Sequence, residues 1–176
     1  MYCPQAIITG PLANPQQVCP THRVSTAGLA IQATNRLPIP APAIRTAPPR
    51  GKRELVDIPT WFWLDRSQWA PRSATASADG VSSTVTARAY ELTVDLGDGS
   101  DPLTCRAPWT PYRDGAHSMC TRAFSHSGRY TVTATVRWAA DWHGSDGNGG
   151  TLPTMSRSVT FPVRVVQARS ELIANP

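Results

Sequence analysis

The first 53 positions contain no acidic residue, and the whole chain has one lysine, Lys52, among 17 basic side chains. A lone lysine that follows no expected strand excludes a G-x-x-x-x-G-K-[ST] phosphate loop. No apolar run approaches the roughly 18 residues a membrane-spanning helix needs, so no such helix is expected. The opening MYCPQAIITGPLANP has neither a charged n-region nor an apolar h-region and does not read as a secretory signal. Strong helix formers are scarce, while Thr, Ser, Val, Gly and Pro are plentiful, which favours strands and turns.

Chemistry-bearing motifs are missing too. His117, His126 and His143 fall in expected loops without H-x-x-x-H spacing, and no serine sits in G-x-S-x-G. The cysteines form no C-x-x-C pair, and no D-x-D-x-D-G loop follows Asp95, Asp98 and Asp101. The expectation is a chain with no catalytic set, no metal and no cofactor.

What is present divides at residue 53. Arg23, Arg36, Arg45, Arg50, Lys52 and Arg53 give the first segment a charge of +6, whereas the remainder is nearly neutral. The first segment also holds nine of the 17 prolines, five of them in PIPAPAIRTAPP, and should be extended there, close to polyproline II. Within it, STAGLAIQATNR (25–36) reads as a short helix capped by Ser25 or Thr26 and stopped by Pro38 and Pro40. Residues 1–53 therefore read as a basic arm lying on a surface, 54–172 as the folded domain and 173–176 as a tail. The basic charges are dispersed, as in a solvated linker, so nucleic acid is not the expected partner.

Beyond Leu55 the hydrophobic period becomes two. All six tryptophans lie here, and Trp61 and Trp63 share one face of an apolar run, which reads as core. Asp79-Gly80 marks a hairpin between Ala74–Ala78 and Val81–Ala87. Tyr90–Leu96, Tyr130–Trp138 and Val159–Val165 alternate in the same way, with Pro162 placing the last at a sheet edge. Short alternating strands punctuated by Gly, Pro and Asp imply an all-β sandwich. Cys3, Cys19, Cys105 and Cys120 form two sequence-local pairs. Four cysteines allow three connectivities, and the local one, Cys105–Cys120 with Cys3–Cys19, is expected. Disulfides in turn imply a secreted or cell-surface location.

The segment Val94-Asp95-Leu96-Gly97-Asp98-Gly99-Ser100, then Cys120-Thr-Arg-Ala-Phe124 and Gly128-Arg-Tyr130-Thr-Val132, resembles the PKD-type (polycystic kidney disease repeat) domain, which is immunoglobulin-like. Val94 stands where that family has tryptophan, and Arg122 and Phe124 replace its His–Tyr pair. In this pattern Asp95, Gly97, Asp98 and Gly99 build a structural turn, with Asp98 accepting backbone N–H bonds. IPTWFWLD, LGDGS and YTVTATVRWAADW are also similar to a group of exported actinobacterial proteins. The resemblance implies an exported PKD-like sandwich and brings no activity with it.

Function then rests on contacts. The expected role is a non-catalytic extracellular binding or structural module making protein–protein contacts in a cell-envelope or secreted assembly. The arm is expected to dock another chain, with Arg45, Arg50 and Arg53 steering it. Trp109 and Tyr112, in the loop that Cys105 and Cys120 would close, and Trp142, beside a glycine turn, are the candidate contact aromatics. The alternative is a carbohydrate or cell-wall binding module using the same aromatics.

Overall fold

A computed structural model describes residues 24–168. The expected Cys3–Cys19 bridge lies outside them. In chain order the elements are α1 (Thr26–Arg36), β1 (Ile44–Ala47), β2 (Arg53–Leu55), β3 (Thr60–Leu64), a 3-10 turn (Arg66–Gln68), β4 (Arg72–Ala78), β5 (Val81–Asp95), β6 (Leu103–Arg106), β7 (Thr121–Arg122), β8 (Gly128–Gly144) and β9 (Gly149–Val166). The large sheet runs β2-β9-β8-β5-β4, with β6 pairing the same strand β5 further along, and the small sheet runs β1-β3-β7. The two sheets pack as a sandwich, so the all-β architecture expected from period-two alternation is the one observed.

Three strands are much longer than their sequence segments suggested. Val81–Ala87 and Tyr90–Leu96 are one strand, because nothing in Arg88-Ala89-Tyr90 breaks it. A register shift between Ala89 and Glu91 moves the buried positions from Val85 and Ala87 to Leu92 and Val94. One extra residue thus switches which parity faces the core. β8 keeps Val132, Ala134, Val136, Trp138 and Ala140 buried along its length. At the β4–β5 hairpin, Asp79 and Gly80 both have positive φ, 49° and 77°, as a type I′ turn requires. β9 has β8 on one side and meets β2 only at Arg164–Val166, which leaves the Pro162 stretch on an open edge.

The long sheet is covered in two ways. At one end α1 packs on β4, β5 and β8, burying Leu29, Ala30 and Ala33 over Ala76, Val85 and Ala87. Ser25 caps the helix by accepting from the Gly28 N–H at 3.1 Å, and Thr26 Oγ1 donates to Asp146 at 2.9 Å, tying the helix to the β8–β9 hairpin. At the other end the small sheet contributes Ile44, Phe62 and Leu64 to the same core. The Cys105–Cys120 disulfide joins β6 of the large sheet to the residue preceding β7 of the small one.

Residues 24–53 therefore differ from the surface arm expected of them. The helix forms at the expected residues, but Leu29, Ala30, Ala33, Leu37 and Ile44 are core, and β1 and β2 are sheet strands. Position 53/54 is not a packing boundary. The physical reason is that the long sheet exposes more apolar surface than the three-stranded sheet can cover, and α1 has small and apolar side chains at i, i+1 and i+4 to cover the rest.

Candidate functional site

Alternation decides the two faces of the small sheet. Along β3, Thr60, Phe62 and Leu64 point into the sandwich, each at most 2% exposed. Trp61 and Trp63 point the other way. The two share a face, as expected, but it is the outer face of the strand; Trp61 is still buried there, at 8% exposure, and Trp63 is half-buried against the core. The reason is parity, because Phe62 and Leu64 fill the interior and a strand cannot aim neighbouring residues the same way.

Trp61 is nevertheless covered, by the disulfide-closed loop. Its indole Nε1 donates to the Thr110 carbonyl at 2.7 Å, and its ring meets Tyr112 edge-on at 5.3 Å. Tyr112 itself is 51% exposed, and its hydroxyl donates to Asp114 at 3.2 Å. Trp63 has no such cover and is half-buried beside Arg45, its cross-strand partner. Arg45 is exposed and pairs with Asp65 at 2.6 Å. Asp65 is held down to about 2 by the Ser67 hydroxyl first, then by the Ser67 N–H and Arg45.

A groove of about 640 Å³ adjoins this face, lined by Ala43, Ile44, Arg45, Pro49, Arg50 and Trp63. The Arg50 guanidinium sits 4.2 Å above the Phe161 ring. Arg45 and Arg50 are thus brought together at one groove with Trp63, a residue passed over in the sequence because a continuous apolar run does not reveal its faces. Arg53 lies apart, on β2 opposite Arg164.

The other candidate aromatics do not join them. Trp109 is only 5% exposed and packs against Trp69 at 6.3 Å. Trp142 is half-buried at the helix-covered end, opposite Val85 on β5 and beside Thr26 and Ala27. Trp109, Tyr112 and Trp142 therefore make no common platform, because the first packs inward and the last lies at the far end of β8.

The Asp95–Ser100 turn is held by its own side chains. Asp95 accepts from the Gly97 N–H at 2.8 Å, and Asp98 from the N–H and hydroxyl of Ser100 at 3.0 and 2.6 Å. Gly97 has φ +71°, and a Cβ there would lie 2.5 Å from the Thr131 carbonyl oxygen, so only glycine fits. Two further carboxylates are engaged. Glu91 lies between Arg137 and Arg106 at 3.3 and 3.8 Å, and Glu54 accepts from the Thr60 hydroxyl at 2.9 Å. Burial pushes the Glu54 carboxyl above its ordinary value, against that hydrogen bond. Among the described residues no three His, Cys, Asp or Glu side chains gather as a metal site, and no helix is long and apolar enough to cross a membrane. No family model, curated protein or solved structure matches this chain.

Proposed function

We propose that this chain is a non-catalytic, secreted or surface-exposed binding module that makes protein–protein contacts through the outer face of its small sheet. The observation that carries this reading is Trp63 and Arg45 paired across strands on that outer face, with Arg50 at the adjoining groove and exposed Tyr112 over Trp61. Tryptophan, tyrosine and arginine are the residue types that dominate binding energy at protein interfaces, because they bury large areas and still hydrogen-bond. The Cys105–Cys120 bridge supports an oxidising compartment. We read the sandwich as PKD-type, supported by the close approach of Gly97 to Thr131, which brings two separate motif segments into contact.

Affinity capture from the native envelope fraction tests the proposal. Wild type should recover a defined partner that Trp63→Ala loses while keeping its thermal transition. Undiminished recovery by Trp63→Ala would move the contact surface elsewhere.

A further inference from the structure

The groove beside β1 has a chemistry of its own. β1 is an edge strand with β3 on one side only. The Asp65 N–H donates to the Ala43 carbonyl at 2.9 Å, which sets the phase of the antiparallel ladder. Arg45 and Ala47 therefore exchange bonds with Trp63 and Trp61, and the backbone N–H and C=O groups of Ile44 and Thr46 point away from β3. Both residues are buried, at 2% and 8% exposure, and both line the groove. No hydrogen-bond partner for these backbone groups exists among the described residues. Buried main-chain groups in native proteins are almost always paired, so unpaired ones facing a groove call for an occupant with main-chain partners to offer.

Charge narrows that occupant. Arg45 and Arg50 line the groove and are exposed, and no acidic residue lies along residues 45–53 beside them. Among the described residues Asp65 is the one carboxylate paired to a groove arginine, and it engages only the Nε of Arg45, whose terminal nitrogens suit a bidentate contact. A second copy of this chain pairing β1 to β1 would set these same arginines against each other.

We infer that the groove receives an extended acidic segment of a partner protein, laid along β1 as an added strand. Its main chain bonds Ile44 and Thr46, its carboxylates meet Arg45 and Arg50, and an apolar side chain packs on Trp63. This rests on the protein-contact reading above and specifies the kind of partner.

The test is selection of short random peptides displayed on phage against the full-length protein. Selected sequences should be rich in Asp and Glu and free of proline at alternate positions. A selected peptide should lose affinity about tenfold or more against Arg50→Glu, with steep salt dependence. Methylating its alternate backbone nitrogens should abolish binding. If Arg50→Glu unfolds through loss of the Phe161 contact, Arg45→Gln gives the same readout. Selection without acidic enrichment, equal binding by the arginine variants, or tolerance of backbone methylation would each overturn the inference. So would a dimer of the chain that masks Ile44 and Thr46 from amide exchange. In any of those cases, continued loss of the native partner by Trp63→Ala would leave the broader reading standing.

Discussion

The two ends of the long sheet are covered by different means and to different effect. At one end, α1 lays Leu29, Ala30 and Ala33 on the sheet, and Asp146 ties its first turn to the β8–β9 hairpin. That end buries most of its apolar side chains, leaving Ile31 64% exposed and Trp142 half-buried. At the other end, three short strands cover the sheet, and their outer face shows tryptophan and arginine. A helix can bury its whole apolar stripe against one partner, whereas a strand must aim every second side chain outward. The small sheet seals the core and, by the same geometry, displays Trp63.

Removing the helical cover together with the edge strand of the small sheet should have the largest effect. A chain beginning at Glu54 lacks α1, β1 and the first residue of β2, and is expected to show no cooperative thermal transition by circular dichroism. A sharp transition would show that the long sheet holds without α1 and β1. Within the helix the contrast is sharper. Leu29→Ala should cost about 2–5 kcal/mol in urea unfolding, whereas Ile31→Ala should stay within about 0.5 kcal/mol. Equal effects would mean that the helix does not seal the core.

How far these ends can be read in sequence follows from how local their causes are. The helix limits follow from Ser25 and Pro38, which act on their own neighbours, and so were legible. Its burial was not, because the sheet it covers is assembled from residues 72–144. The Asp79-Gly80 hairpin was legible for the same local reason. The β5 bulge was not, since Arg88-Ala89-Tyr90 carries no glycine to mark it. Trp61 and Trp63 could be placed on one face from spacing alone. Which face required knowing that Phe62 and Leu64 are the pair that fills the interior. A fully apolar run hides that choice.

The small-sheet end depends on its covalent tie more than the helical end does. Replacing Cys105 and Cys120 together by serine should cost about 3 kcal/mol, from the loop entropy returned to the unfolded chain. It should also loosen the cover over Trp61, which would appear as a red shift in tryptophan emission. An unchanged midpoint under reduction would remove the disulfide from the comparison.

The smallest effect expected is that of pH at this same end. Glu54 has its pKa raised by burial, so its ionised form disfavours the fold. Stability associated with its proton is present below the ordinary glutamate range and is lost as pH rises through the folded-state pKa. Glu54→Gln should therefore match wild type near pH 4 and exceed it modestly near pH 7. A variant less stable at both pH values would show that the Thr60 hydrogen bond outweighs burial.

The division of the molecule into a sealed end and a displaying end is tested most directly by site-specific photo-crosslinking in the cells that produce the protein. A benzophenone amino acid placed at Tyr112, beside Trp61 on the small sheet, should trap a partner protein. The same probe at Ile31, on the outer face of α1, should trap none. Adducts at Ile31 with none at Tyr112 would contradict the assignment and make the helical end the binding surface.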